Sequence, residues 1–286
     1  MMIKIVTDST ADVPKPLLKR YDIRVVPINI QFGSETYREG IDIDRPTFFR
    51  KLEEVMPTSS QPSPGQFVEV YEKLAGQGHS IITIVVTSKH SGTYQSALLA
   101  KSMLPEADIE VFDSLSISMG TGYQVLAAAR AAEEGMGMEE ILQLLEGIRS
   151  RMHLYCTPAT LKYLQRSGRV GKLAGALGSL LNVKPIIKVE DGTLEAFQNV
   201  RTRGKALERL VELTAEAVGT SDPVKLALIH AESYAEAEAL RAQLEGTLNC
   251  EEMHVVDLAC SLTVHGGPGI IGIISYVSEV TAQAAP

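Results

Sequence analysis

Residues 81–96 have the sequence Ile81-Ile82-Thr83-Ile84-Val85-Val86-Thr87-Ser88-Lys89-His90-Ser91-Gly92-Thr93-Tyr94-Gln95-Ser96. The first six form an apolar run of the kind found in buried strands. The following residues, 97–104, are mostly apolar or small and predict a helix. A strand is therefore expected to end, and a helix to begin, inside a cluster of hydroxyl side chains.

This junction has the chemistry of a small anion-binding site. The first turn of a helix carries unpaired backbone N–H groups and a partial positive charge. Ser91 is a natural N-cap for the predicted helix, and Gly92 lets the backbone approach a ligand closely. On these residues alone, however, a helix cap without any ligand is the favoured interpretation.

The N-terminal half repeats this order of strand, polar turn and helix. Strands predicted at residues 3–6 and 109–113 lead into the polar turns Thr7–Asp12 and Asp113–Ser118. In an open α/β sheet, ligands bind in the crevice outside the carboxyl ends of the strands. We therefore expect these turns and Ser88–Thr93 to lie at one edge of a sheet.

A second hydroxyl-rich segment lies at Met56–Phe67. Its three prolines cannot continue a helix, so the preceding helix is expected to end before it. Ser63 before Pro64 predicts the start of a new helix that runs to Leu74 or Ala75. The segment is therefore expected to be a fixed loop that carries many side-chain donors. A rigid surface loop without function competes with this interpretation.

From His153 onward the sequence predicts strands, hairpins and helices in a less regular order. Glu190-Asp191-Gly192 is a strong hairpin signal between two strands. Gln165–Lys172 is a basic loop that either binds phosphate or an acidic protein surface, or is simply solvated. A helix of small residues is predicted at Ala174–Asn182. His265 precedes a glycine-rich turn, and such a histidine is more often a satisfied polar group than a ligand or base.

These elements predict an α/β protein with two domains, at residues 1–152 and 153–286. The first domain is expected to hold a mostly parallel sheet with helices on both faces, and the second a mixed sheet with helices. The chain has 286 residues, which is enough for two such domains. Its 45% hydrophobic and 22% charged residues form an ordinary globular composition.

Charge and composition weigh against several functions. A formal net charge of −8 disfavours a nucleic-acid partner. No apolar run is long enough to cross a bilayer and the N-terminus has no signal-peptide pattern, so we expect a cytoplasmic protein without stable membrane insertion. Cys156, Cys250 and Cys260 lack metal-ligand spacing, and neither a P-loop nor a GxSxG motif is present. We expect no metal and no other cofactor.

Six segments, taken together and in order, resemble the DegV family of bacterial fatty-acid-binding proteins. Each alone is a weak signal, but six in the right order are specific, and the resemblance covers essentially the whole chain. The six segments are Thr7–Asp12, Thr58–Gln66, Ser88–Ala97, Asp113-Ser114, Arg166–Arg169 and His265–Gly269.

The resemblance implies that a long-chain fatty acid, such as palmitate or oleate, is held in an apolar tunnel between the two domains. By position, its carboxylate would meet the hydroxyls of Ser59 and Ser91, with Ser60, Gly92 and Thr93 close by. A buried carboxylate needs several donors, because an unpaired buried charge is very costly. The tail contributes about 0.8 kcal/mol for each buried CH₂ group. Candidates for the tunnel wall are Ile28, Ile30, Phe32, Leu115 and Ile117.

The family resemblance also implies a protein partner. A fatty-acid-binding protein of this kind presents its ligand to a separate ATP-dependent kinase, which makes an acyl phosphate. It needs no catalytic residues of its own. Arg169, His265 and Arg166 match family positions that are linked with kinase engagement or with the phosphoryl-transfer step.

Two other functions compete with lipid binding. A serine-dependent hydrolase or phosphotransferase, acting on a small acyl or phosphoryl substrate, would use Ser91 as its nucleophile. His265 or His90 would then be the base, and Asp8 or Asp113 would orient that base. A pure interaction module fits less well, because polar turns that converge on strand ends are typical of a small-ligand site.

Overall fold

The computed structural model describes residues 2–169 and 183–278. The described residues contain three β-sheets. The strands of the N-terminal half are β1 (Ile3–Asp8), β2 (Arg24–Val26), β3 (Asn29–Phe32), β4 (Glu35–Arg38), β5 (Thr58–Ser60), β6 (Ser80–Val85) and β7 (Ile109–Asp113). Those of the C-terminal half are β8 (His153–Thr157), β9 (Lys184–Glu190), β10 (Thr193–Val200), β11 (Val224–His230), β12 (Cys250–Asp257) and β13 (Ile271–Val277).

The helices alternate with these strands. They are α1 (Lys15–Arg20), α2 (Arg45–Glu54), α3 (Pro64–Ala75), α4 (Thr93–Ser102), α5 (Met119–Glu133), α6 (Met138–Ser150), α7 (Lys162–Ser167), α8 (Arg203–Val218), α9 (Tyr234–Glu245) and α10 (Cys260–Gly266).

The predicted fold class is confirmed. In the N-terminal domain, β2-β1-β6-β7 form a parallel sheet and β4-β3-β5 form a small antiparallel one. In the C-terminal domain, β10-β9-β8-β13-β11-β12 form a mixed sheet. The boundary between residues 152 and 153 stays a prediction. The predicted helix Ala174–Asn182 and residues 170–172 of the basic loop lie outside the described residues.

Helix α5 lies at the centre of a core that both domains share. Its residues 119–126 are all buried. Four of them belong to one hydrophobic cluster with Ile82 of the parallel sheet and Ile229 of the mixed sheet: Met119, Tyr123, Val125 and Leu126. The Tyr123 hydroxyl also donates a hydrogen bond to the carbonyl oxygen of Leu226. A helix that is apolar all round is stable only when it is covered on every side, and here a sheet from each domain contributes to that cover.

Other helices cover the outer faces of the two sheets. Phe67 of α3 and Ala97 of α4 are fully buried in a cluster with Ile81 of the parallel sheet. Leu210 of α8 and Leu240 of α9 pack in a cluster with strands of the mixed sheet. The N-terminal sheet therefore has helices on both faces, as predicted.

The hydroxyl-rich segment before α3 is partly a strand rather than a loop. β5 pairs antiparallel with β3, and this register sets Ser59 opposite Ile30. A three-residue strand is too short to leave an alternating pattern in the sequence. The predicted helix start is confirmed, because Ser63 and Gln66 form a reciprocal capping box at the beginning of α3.

The start of α4 differs by one residue from the prediction. Gly92, not Ser91, is the N-cap, and it has no side chain with which to cap the helix. The Ser91 hydroxyl accepts a hydrogen bond from the Thr93 N–H group at 3.2 Å. Ser91 thus still satisfies one of the unpaired donors at the helix start, but from outside the helix.

Side chains of the N-terminal domain hold the segment that leads into α10. The Arg45 guanidinium donates to the carbonyl oxygen of Leu258 at 2.8 Å. The Asp12 carboxylate accepts from the Ala259 N–H group at 2.9 Å. Burial raises the pKa of Asp12 well above its usual value, so its ionised form depends on such donors.

Glu39 makes a third connection to the same segment. Its carboxylate accepts from the Ser261 N–H group at 2.9 Å and from the hydroxyls of Ser261 and Ser9, both at 2.6 Å. Burial raises the pKa of Glu39, and these donors oppose that effect. The position of α10 is therefore fixed by hydrogen bonds to a carboxylate of the other domain.

We predict that Glu39→Ala lowers the free energy of unfolding by about 2 kcal/mol, since it leaves the buried Ser261 N–H group without its acceptor. Urea unfolding followed by circular dichroism measures this loss. Glu35→Ala is the matched control, because Glu35 pairs with Lys51 on the exposed surface. An equally small change in both variants would contradict the prediction.

Candidate ligand-binding site

A cavity lies between the two domains, next to the turns that follow β1 and β6. The centre of a water-sized sphere can reach about 110 Å³ of it, and all of its empty space, including the open solvent at its mouth, amounts to about 960 Å³. The apolar residues that line it are Ile28, Val86, Ile117, Cys156, Leu164, Ile187, Leu194, Ile229, Leu258, Leu262 and Ile270. Both domains contribute to this apolar wall.

The rest of the lining is polar but carries no acidic group. The polar side chains are those of Thr10, Ser59, Ser60, Gln61, His90, Ser91, Arg169, Ser261 and His265. Neither Asp nor Glu occurs in the lining drawn from the part of the chain that the structure describes. The cavity thus combines a large apolar surface with hydroxyls, imidazoles and a guanidinium, and lacks a charge that would repel an anion.

The structure brings together four of the five residues predicted to bind a carboxylate. Ser59, Ser60, Ser91 and Gly92 line the cavity. Thr93 does not line it: this residue is buried, and its Oγ1 atom lies 2.8 Å from Ser91 Oγ. Thr93 therefore supports Ser91 from behind. Binding of a ligand by these residues stays a prediction.

Ser59 and His265 form a hydrogen bond that no local sequence pattern indicates. Ser59 Oγ lies 2.7 Å from His265 Nε2, although 206 positions separate the residues. β5 presents the serine, and α10 presents the histidine. Burial, helped by the positive charge of Arg169, lowers the pKa of His265 to about 4. The imidazole is therefore neutral at pH 7.

The surroundings of His265 favour one tautomer. Its Nδ1 atom is buried and has no hydrogen-bond partner among the described residues. A buried N–H group without an acceptor is rarer and costlier than an unpaired lone pair, so the proton belongs on Nε2. In that tautomer His265 donates to Ser59. The hydroxyl proton of Ser59 is then free to donate into the cavity.

We call the part of the cavity around Ser59, Ser91 and His265 its polar end. A second recess adjoins it, and Ser59 and His265 line both spaces. The centre of a water-sized sphere can reach about 350 Å³ of this recess, and none of its described lining residues is acidic. Arg169 borders both the cavity and this recess, whereas Arg166 borders the recess alone. The Arg169 guanidinium is exposed and donates to the carbonyl oxygen of Ser167 at 2.8 Å.

The residues considered for a serine-dependent enzyme form hydrogen bonds with other groups and not with one another. Ser91 pairs with Thr93 rather than with a histidine. His90 Nε2 accepts the N–H group of Leu194 at 3.0 Å, so this nitrogen has no lone pair left for a serine. His265 contacts a different serine, and its Nδ1 atom has no carboxylate to orient it.

The two carboxylates predicted to orient a base have structural roles instead. Asp8 accepts the N–H groups of Thr10 and Val86, both at 2.8 Å, and so ties the ends of β1 and β6 together. Asp113 accepts the N–H group of Ser88 at 3.1 Å. The nucleophile, base and carboxylate of a serine-dependent enzyme are therefore not assembled around Ser91.

Two of the five candidates for the tunnel wall border this cavity, and the tunnel itself stays a prediction. Ile28 and Ile117 line the cavity. Ile30 and Phe32 are buried in a separate cluster with α10, and Leu115 borders another recess. Ile28 directly precedes β3, whereas Ile30 and Phe32 lie within it, and the sequence did not reveal that only the residue before the strand borders the cavity.

Sequence reasoning missed three polar lining residues. Gln61 follows Ser60 directly, so its place in the same segment was an available signal. Thr10 belongs to the first polar turn, but nothing singled it out from its neighbours. Ser261 had no local signal, because only the contacts of α10 bring it to the cavity.

The described residues were compared with the requirements for a metal site, a membrane-spanning helix and a charged thiol. Within residues 2–169 and 183–278, no cluster of three or more His, Cys, Asp or Glu side chains is suited to hold a metal ion. In the same ranges, no helix combines the length and the hydropathy needed to cross a membrane. Burial raises the pKa of Cys156 to about 12, so the cavity wall is uncharged at this thiol.

The fold and the cavity are those of an α/β protein with a ligand pocket between two domains. Residues 2–278 match the family described as "Uncharacterised protein, DegV family". The chain belongs to the DegV family. A DegV domain-containing protein of Caldanaerobacter subterraneus is 36% identical over 272 residues, which cover 95% of this chain and 97% of that protein.

Solved structures of the same family share the whole fold. One, described as "Fatty Acid Binding of a DegV family Protein from Thermus thermophilus", is 34% identical with a TM-score of 0.92, and covers 97% of this chain and 100% of its own. Another, of Bacillus subtilis DegV, is described as a fatty acid binding protein. It is 33% identical with a TM-score of 0.89 and has the same coverage. The resemblance found in the sequence is thus confirmed.

The lowered pKa of His265 predicts a specific pH dependence of stability. The folded pKa of about 4 lies below the ordinary histidine pKa of 6.5, so the unfolded chain binds more protons between these values. Stability is therefore expected to fall as the pH drops through 6.5 toward 4, by about 2 kcal/mol at pH 5 from this residue.

His265→Gln removes this titration and retains a polar side chain. Urea midpoints of both proteins at pH 7 and pH 5 are expected to show a smaller acid-induced loss in the variant. The other histidines are common to both proteins and cancel in the comparison. Equal losses would show that His265 is not the titrating group.

Proposed function

We propose that this protein binds a long-chain fatty acid, such as palmitate or oleate, with the acyl chain in the apolar part of the cavity and the carboxylate at Ser59 and Ser91. One observation carries the proposal: the cavity combines a largely apolar wall with hydroxyl, imidazole and guanidinium groups, and no acidic residue occurs in its described lining. The fatty-acid-binding descriptions of the Thermus thermophilus and Bacillus subtilis proteins support it.

The energetics favour an amphiphile over a small polar ligand. Each CH₂ group of a buried tail contributes about 0.8 kcal/mol, so a long chain supplies most of the affinity. The carboxylate has to exchange its water for donors of equal quality. Ser91 at the start of α4 and Ser59, with its proton directed by His265, are such donors.

We propose further that a separate ATP-dependent kinase phosphorylates the bound fatty acid. A carboxylate oxygen attacks the terminal phosphorus of ATP, ADP leaves, and an acyl phosphate remains on this protein. The basic recess beyond Ser59 supports this step, since Arg166 and Arg169 can meet a phosphoryl group there. His265 contributes beside the same recess, because it directs the Ser59 hydroxyl that holds the carboxylate. The proposal requires no metal or organic cofactor on this chain and places the protein in the cytoplasm.

Mass spectrometry of the purified, denatured protein tests the ligand class. We expect a co-purified fatty acid of long chain, or uptake of added palmitate or oleate by delipidated protein. Absence of both would overturn the proposal. Hydrolysis of an acyl ester by the protein alone, lost in Ser91→Ala, would instead favour the serine-dependent enzyme.

Ser91→Ala is predicted to weaken palmitate binding by about 10- to 100-fold, because a hydrogen bond to a charged group is lost. Displacement of a fluorescent fatty-acid analogue measures the affinity. Ser102→Ala, at the exposed far end of α4, serves as the control and should bind palmitate normally.

Arg169→Ala is predicted to impair phosphoryl transfer and to leave palmitate binding nearly unchanged. Because the guanidinium is exposed and borders the recess, palmitate affinity should change by less than about threefold. The rate of acyl phosphate formation with ATP and the partner kinase should fall by more than about tenfold. Arg50→Ala, exposed on α2, is the control for loss of charge. A loss of palmitate affinity equal to that of Ser91→Ala would contradict this division of roles.

A further inference from the structure

Gln61 occupies a distinctive position at the polar end of the cavity. Its backbone carbonyl accepts a hydrogen bond from Asn29 Nδ2 at 3.3 Å, which anchors the residue beside β3. Its side chain reaches across to the start of α4 and lies on Gly92. A Cβ atom placed on Gly92 would be only 3.0 Å from both Cδ and Nε2 of Gln61. The absence of a side chain at Gly92 is what allows this close approach.

The chemistry of the Gln61 side chain suits this position. Its amide has two N–H donors, one carbonyl acceptor and no charge. Within the described part of the chain, Asn29 bonds the backbone of Gln61, and the side-chain amide has no hydrogen-bond partner of its own. The side chain is exposed, and it lines the cavity together with Ser59, Ser60 and Ser91. A free donor thus lies at the rim, next to the hydroxyls.

We propose that the Gln61 amide closes the polar end of the cavity and donates an N–H hydrogen bond to the carboxylate of the bound fatty acid. This inference rests on the proposed function. Ser59 and Ser91 then bind the carboxylate from the protein side, and Gln61 covers it from the solvent side. Because the backbone is anchored and the side chain is exposed, rotation about side-chain bonds alone can uncover the carboxylate for a kinase.

The variant Gln61→Glu tests the proposal, because it keeps the shape of the side chain and replaces the donor by a negative charge. Palmitate and 1-hexadecanol are the two probes, since both have the same chain but only palmitate has a charged head group. We expect Gln61→Glu to bind palmitate about tenfold more weakly and hexadecanol with unchanged affinity. Gln61→Ala should weaken palmitate binding by a smaller factor, about threefold.

Gln77→Glu is the matched control, because Gln77 is exposed in the turn after α3 and does not line the cavity. It should bind both probes like the parent protein. Unchanged palmitate affinity in Gln61→Glu would overturn the role of Gln61 and leave the proposed function intact. An equal loss for palmitate and hexadecanol would also overturn it, since the effect would not depend on the head group. Failure of the parent protein to bind palmitate would overturn both proposals.

Discussion

The hydrogen bonds between the Glu39 carboxylate and Ser261 determine the geometry of the polar end. Glu39 follows β4 in one domain, and Ser261 is the second residue of α10 in the other. An ionised carboxylate is stable in a protein interior only when donors replace its water. Ser261 supplies two of these donors from one residue, so a shift of α10 would leave the charge unsatisfied. The cost of leaving a buried carboxyl group without these partners therefore favours the observed position of α10.

The position of α10 in turn decides what His265 contacts. Val264 packs in one cluster with Ile30 and Phe48, on the side of the small sheet that also presents Ser59. With one face of α10 fixed by Glu39 and another by this cluster, the next residue reaches Ser59. The polar end thus depends on charge burial in one place and on apolar packing in another. Of the residues in these two features, Ser261 lines the cavity, whereas Glu39 and Val264 do not.

Much of the architecture could be predicted from the sequence because it follows from local patterns. Apolar runs, polar turns and the signal at Ser63 indicated the parallel sheet, its helices and the edge where the cavity lies. Local patterns could not indicate β5, whose pairing depends on a distant strand, or the contact between Ser59 and His265. They also could not separate Ser91, which borders the cavity, from Ser114 and Ser118, which are buried. Burial depends on packing, and packing is not a local property.

The charge distribution around the cavity agrees with a ligand that is held firmly but whose head group stays reactive. A lysine or arginine buried against the carboxylate would bind it tightly, yet would also lower the nucleophilicity of its oxygens. Here the half-buried donors are neutral: a hydroxyl directed by an imidazole with a low pKa, and a helix start without a charged cap. The positive charge of Arg169 lies at the rim, where it borders the recess as well as the cavity. In the proposed function, affinity then comes from the apolar wall, orientation from neutral donors, and charge stabilisation only where the kinase would deliver a phosphoryl group.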